Sequence, residues 1–201
     1  MTVKQGNQAT TSIEMYKGQK AVIKQVKHES IPIIRNLEFW MLNREARFLK
    51  RLDDVPQVPG FLGYPDAYSF AMEFREGKTL REVEPETLPA SFYREIERTV
   101  EELHQRNVVH SDLKKRENIM VTPEQKPVLI DFGAGFEKKS WYRPFNNFLF
   151  EQFREIDCNA VSKLKSRFCP DILTEEDEHR LSQPNLFEKI SRWGRKWILF
   201  R

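Results

Sequence analysis

The sequence is poor in several things that define whole classes of protein. Only two cysteines, Cys158 and Cys169, occur in 201 residues, so a disulfide framework is not expected and a reducing compartment fits. No stretch is long and apolar enough for a membrane span. The N-terminal twenty residues, MTVKQGNQATTSIEMYKGQK, lack the apolar segment of a secretory signal, and a cytoplasmic location is the expectation. No internal repeat and no low-complexity linker is found. The net charge of +3 is too small to imply nucleic acid. With 39% apolar residues, the chain can bury the core of a single domain.

What the chain does have is a set of short motifs in a defined order. His110-Ser111-Asp112-Leu113 is followed by Lys114-Lys115-Arg116-Glu117-Asn118, and Ile130-Asp131-Phe132-Gly133 comes later, after the apolar Val128 and Leu129. Alone, an Asp-Phe-Gly reads as an ordinary turn after a strand. Phosphoryl transfer from a nucleotide, however, needs a carboxylate to orient the attacking hydroxyl and oxygen ligands for magnesium. Asp112, Asn118 and Asp131 are those group types. The two strings resemble the H-R-D-L and D-F-G motifs of protein kinases.

Four earlier pieces strengthen the resemblance. Ala21-Val22-Ile23-Lys24 resembles the V-A-I-K strand, whose lysine meets the nucleotide phosphates. Helical spacing over about 37–52 aligns Met41, Leu42, Glu45, Phe48, Leu49 and Leu52. A carboxylate on that apolar face needs a cation, and Lys24 is the natural partner of Glu45; Glu38, one heptad earlier, is the alternative. Ser69 to Gly77 resembles the kinase hinge, which implies Met72 as gatekeeper and the main chain of Glu73 and Arg75 as the contacts for adenine. A helix near 91–106 carries Phe92, Ile96, Val100 and Leu103 on one stripe and leads into His110.

The resemblance spans roughly residues 20–135 and is strongest to the minimal, atypical branch of the protein-kinase-like superfamily, the RIO-type kinases and the bacterial kinases of lipopolysaccharide-core sugars. It implies an α+β, bilobal fold, with a small antiparallel-sheet N-lobe over about 1–74 and a mainly helical, truncated C-lobe over about 75–201, as one domain. It also implies ATP and Mg2+ as cofactors. Asp112 and Lys114 are then catalytic; Lys24, Glu45, Met72, Glu73 and Arg75 bind nucleotide; Asn118 and Asp131 hold metal. Asp157, within a helix stepping through Leu149, Phe153, Ile156, Ala160 and Leu164, resembles the buried aspartate that braces the kinase catalytic loop, and a solvent-facing aspartate is the other reading. The aromatics Trp141, Tyr142, Phe145, Phe148, Phe150 and Phe153 are expected mostly in the core.

The chain departs from the family pattern at four points. One extra residue separates Leu113 from Asn118, which a bulge could absorb. Ser111 replaces the arginine that meets an activation-loop phosphate in many protein kinases. The phosphate loop, Gly6-Asn7-Gln8-Ala9-Thr10-Thr11-Ser12, has one glycine, so turn amides and the hydroxyls of Thr10, Thr11 and Ser12 are what can cradle phosphate, and a disordered polar N-terminus over 1–12 is the other reading. No Ala-Pro-Glu follows Asp131.

The acceptor is expected to be a protein serine or threonine, towards which Lys114 points, or a sugar hydroxyl on a lipid-linked glycan. A nucleotide- or partner-binding pseudokinase is the third reading. Leu186, Ile190, Trp193, Trp197 and Phe200 form a stripe accompanied by Lys189, Arg192, Arg195, Lys196 and Arg201. That stripe packs on the C-lobe or makes a peripheral contact with the inner face of a membrane.

Overall fold

The computed structural model describes residues 4–5, 10–26, 32–139 and 143–182. Gly6–Ala9, Trp141, Tyr142 and the basic-aromatic stretch 185–201 lie outside the described residues.

The chain forms two compact units, one made of residues 1–83 and 115–135 and the other of 84–114 and 136–201. The first is built on an antiparallel sheet of β1 (Lys4–Gln5), β2 (Thr10–Tyr16), β3 (Gln19–Gln25), β4 (Phe61–Gly63) and β5 (Ser69–Glu73), in the order β1-β2-β3-β5-β4. Lys17 and Gly18, both at positive φ (50° and 80°), make the two-residue turn that sets Tyr16 opposite Gln19. Both central residues at positive φ match the right-handed twist of the strands they join, and glycine takes one of them without steric cost. Thr10, Thr11 and Ser12 are strand residues paired with Gln25, Lys24 and Ile23. They are therefore part of the ladder and not of a phosphate-cradling turn.

Helix α1 (Pro32–Arg51) begins five residues before the expected start at about 37. Leu42, Ala46, Phe48, Leu49 and Leu52 are buried, while Ile33, Leu37 and Trp40 on the early turns are exposed. Lys50 and Arg51 in the last turn complement the negative end of the helix dipole. A second, three-stranded sheet of β6 (Lys78–Thr79), β8 (Ile119–Val121) and β9 (Pro127–Leu129) completes this unit.

The second unit holds α2 (Ala90–Gln105), the paired strands β7 (Val108–Val109) and β10 (Phe136–Glu137), α3 (Pro144–Phe168) and α4 (Glu175–Ser182). Phe92, Tyr93, Ile96, Val100 and Leu103 of α2 are buried as their spacing requires. In α3 the buried stripe runs Phe150, Asp157, Ala160, Val161, Leu164 and Phe168. Phe145 and Phe148 are 74% and 52% exposed, so the expectation that the aromatic run is mostly core fails at its start. The buried stripe of α3 begins only at Phe150. Among the described residues no helix is long and apolar enough to cross a membrane.

Charge as well as apolar area docks α4 on α3. Lys165 Nζ lies 2.5 Å from Asp177 Oδ2 and 2.7 Å from Glu97 Oε1, with both Lys165 and Asp177 buried. The Ser162 hydroxyl donates to Asp177 Oδ1 at 2.6 Å, and the Thr174 N–H and hydroxyl donate to Oδ2. Burial alone would raise the Asp177 carboxyl, but these donors outweigh it and hold it down to about 2. A depressed native pKa stabilises the fold above the unfolded value of ~3.9 and loses that contribution as pH falls through about 2. Between pH ~4 and about 2, the wild type should lose on the order of 2 kcal/mol that Asp177→Asn never has. Urea midpoints measured across that window check it, and parallel pH profiles for the two proteins would refute it.

Candidate active site

Lys24 lies near the end of β3, between Thr11 on β2 and Phe70 on β5. Its Nζ donates to Glu45 Oε1 at 2.7 Å and lies 3.4 Å from Asp131 Oδ1. The lysine and glutamate side chains are 14% and 6% exposed, against 53% for Asp131. Glu38 is buried on the same helix face, yet Glu45 is the residue that takes Lys24. Burial works to lower the Lys24 pKa, but the Glu45 and Asp131 carboxylates outweigh it and hold the ammonium above its ordinary value. Burial also raises the Glu45 carboxyl, against the opposing pull of Lys24. The cluster thus holds one cation at the meeting of a strand, a helix and a turn, with its most exposed carboxylate on the turn.

Asp131 adopts a left-handed conformation (φ 66°, ψ 70°) at the start of the short 3-10 turn Phe132–Ala134. Aspartate tolerates this region better than most residues because its short side chain can bond locally, and Oδ1 accepts from the Gly133 N–H at 3.4 Å. Phe132 is fully buried, and a Cβ added at Gly135 would stand 2.8 Å from the Phe48 ring of α1. Asn118 is brought beside Asp131 by the backbone: its carbonyl accepts from the Ile130 N–H at 2.9 Å, and Ile119 pairs with Leu129.

The extra residue of the catalytic-loop string is absorbed by a 3-10 turn over Arg116–Asn118, where the Asn118 N–H donates to Lys115 O at 3.0 Å. This replaces the expected bulge. A bulge requires a partner strand, and the β8 ladder starts only at Ile119. Arg81 pairs with Glu117 on the rim of this turn.

An amide and a carboxylate are hard oxygen donors of the kind magnesium takes. Among the described residues no group of three or more His, Cys, Asp or Glu forms a cage. Asn118 and Asp131 would supply only part of the ligands of such an ion, and magnesium commonly keeps several waters beside one or two protein oxygens.

Met72 is buried on β5, opposite Val22 and Phe61. The Glu73 N–H donates to Gly60 O at 2.8 Å, which narrows the expected contact between Glu73 and a base to its carbonyl. The Arg75 guanidinium pairs with the Glu73 carboxylate at 2.9 Å, both side chains partly exposed.

Asp112 and Lys114 belong to the second unit, with Leu113 buried between them and Lys114 exposed. The Asp112 N–H lies 3.4 Å from His110 Nδ1. Asp157 is fully buried; its Oδ2 accepts from the His110 N–H at 2.7 Å and its Oδ1 from the Ser111 N–H at 2.8 Å. This decides between the two readings of Asp157 in favour of the brace. Ser111, at φ 68°, is held in the left-handed region directly before Asp112.

Three contributors escaped the sequence. His104 Nε2 lies 3.4 Å from Asp157 Oδ2. Lys165 anchors α4. Arg44 donates to the Gly133 carbonyl from α1. Only Arg44 left a signal, its i,i+4 spacing from Trp40 on one helix, which suits a cation over a ring.

Residues 5–150 match the protein kinase domain family. The chain belongs to that family. It is 33% identical over 123 residues to serine/threonine-protein kinase B of Synechocystis, covering 56% of this chain and 21% of that protein. Against serine/threonine-protein kinase C of the same organism it is 30% identical over 134 residues, covering 59% and 24%. The chain therefore spans about a fifth to a quarter of the length of these relatives. Among solved structures, Rio2 kinase from Chaetomium thermophilum superposes with a TM-score of 0.63 at 16% identity, over 94% of this chain and 58% of that one. The fold is kinase-like, with an antiparallel-sheet N-terminal part and a helical C-terminal part.

If Lys24 grips nucleotide, Mg-ATP at about 100 times its Kd should stabilise the wild type by ~2.7 kcal/mol, or roughly 5–10 °C in Tm for this size. Lys24→Met should abolish that shift. Because Glu45 takes up a proton at a higher pH than an exposed glutamate does, affinity should begin to fall on acidification while the pH is still above ~4.3, and Glu45→Gln should flatten that limb. Titration of Mg-ATP from pH 8 to 4.5 checks both; equal slopes in the two proteins would count against the pair.

Proposed function

We propose that this chain binds ATP with Mg2+ and transfers the γ-phosphate to a hydroxyl, in the manner of serine/threonine kinases. The observation that carries the reading is the convergence of Glu45 and Asp131 on Lys24 Nζ, at 2.7 and 3.4 Å, with Asn118 set against the strand leading into Asp131. The names of the Synechocystis relatives support the acceptor class. The Chaetomium neighbour, described as an ADP/Mg2+-phosphoaspartate complex, supports the cofactors.

Each residue has a task in this scheme. Lys24, oriented by Glu45, holds the phosphates; Asn118 and Asp131 hold the metal; Asp112 orients the acceptor hydroxyl and accepts its proton; Lys114 neutralises charge near the transferred group. Magnesium, when bound, supplies positive charge against the phosphate oxygens. The exposure of Asp131 and Lys114 suits groups that meet a ligand, and the burial of Glu45 suits one that only positions another side chain.

Incubation with γ-labelled ATP, a serine/threonine peptide library and separated membranes tests the proposal. Label is expected on peptide hydroxyls. Asp131→Asn should lower transfer at least ~100-fold with the melting temperature kept, and Asp112→Asn should lower turnover while leaving ATP affinity unchanged. Near-normal transfer by Asp131→Asn would overturn the assignment, and label confined to glycans of the membrane fraction would move the acceptor to a lipid-linked sugar.

A further inference from the structure

Asp131 is held at φ 66° and ψ 70°, a left-handed conformation that aspartate tolerates better than most residues but that still carries strain which the surroundings must offset. Two of its own contacts are long: Oδ1 lies 3.4 Å from the Gly133 N–H and 3.4 Å from Lys24 Nζ. A stronger hold comes from the neighbouring helix. The Arg44 guanidinium donates to the Gly133 carbonyl, two residues past Asp131, and its Cζ lies 4.5 Å from the centre of the Trp40 ring. Trp40 and Arg44 are one helical turn apart, so the ring and the guanidinium lie on one face. Arg44 Nε is buried without a hydrogen-bond partner, and the guanidinium is oriented by a carbonyl and an aromatic face. A planar cation is suited to stacking and donating at once, which an ammonium does less well.

The next residue along α1 is Glu45, the partner of Lys24, and Phe48, one turn further, abuts Gly135. One rigid helix therefore sets both the lysine that faces Asp131 and the turn that carries Asp131.

We propose that Arg44 is a positioning residue for the metal-binding carboxylate: stacked on Trp40 and bonded to the Gly133 carbonyl, it holds the 131–135 turn so that Asp131 presents Oδ1 towards Lys24. Only its consequence for magnesium rests on the phosphotransfer reading; the hold on the turn stands apart from it.

Two measurements on the whole chain test the clamp. The first is amide exchange at Gly135, whose N–H donates to Phe132 O at 2.9 Å and so reports whether the turn is closed, in nucleotide-free protein. The second is the Mg2+ concentration giving half of the ATP-dependent thermal shift. Arg44→Met should speed Gly135 exchange at least tenfold, leave the β8 amides unchanged, and raise the Mg2+ half-point about tenfold with metal-free ATP affinity unaltered. Arg44→Lys should recover part of both effects, and it carries the test if Arg44→Met does not fold. Unchanged Gly135 exchange, or exchange that rises equally in β8 and β9, would overturn the clamp. A wild type showing no Mg-ATP shift would sink the phosphotransfer reading, and the exchange data alone would then decide for or against Arg44.

Discussion

A buried lysine is the constraint from which the first unit follows. Removing an ammonium from water costs several kcal/mol unless anions meet it, and Lys24 has two, one from α1 and one from the turn after β9. Satisfying it fixes where the helix lies on the sheet, because Glu45 must reach the end of β3. It also fixes where the turn lies on the helix, because Asp131 must reach the same nitrogen. The apolar stripe of Leu42, Ala46, Phe48, Leu49 and Leu52 supplies the adhesion, but such a stripe tolerates sliding along the helix by a turn. The ion pair does not. Glu45 is the one whose carboxylate lies 2.7 Å from Lys24 Nζ, with Glu38 buried two turns earlier on the same helix.

How much of this could be read from residues alone depends on whether the signal is local. The Glu45–Lys24 pair was legible because a carboxylate on an apolar face demands a partner and the order of motifs named one. The stripe of α2 was legible for the same reason of period. The Asp157 brace was one of two readings, since a single helical period does not tell a buried aspartate from an exposed one; its bonds to the His110 and Ser111 amides span more than forty residues and leave no trace in spacing. Thr10–Ser12 misled because threonine and serine suit a turn and a strand alike, and pairing with β3 decided for the strand. Phe145 and Phe148 misled because hydrophobicity does not show where along a helix its partner begins. The extra residue between Leu113 and Asn118 was visible, but the form of its accommodation was not, since 3-10 turn and bulge make no different demand on Lys-Lys-Arg-Glu.

Two residues of the candidate site occupy the left-handed region, Ser111 at φ 68° and Asp131 at φ 66°. Neither is glycine, so each must be held by its surroundings. In the second unit a buried anion does this, Asp157 accepting the Ser111 amide itself. In the first a half-buried cation does it, Arg44 donating to a carbonyl two residues beyond Asp131. Both use charge-assisted bonds from a side chain on a helix to a polar group of the backbone. Such bonds are roughly twice as strong as neutral ones, and that strength is what a strained backbone requires if it is not to relax. A neutral donor or acceptor in either place would leave the strain and the bond closely matched, and the residue would spend part of its time elsewhere. On this view the charges of Arg44 and Asp157 serve local conformation more than global stability: each fixes one backbone state at an aspartate of the candidate site, where an apolar residue of equal volume would pack as well and fix nothing.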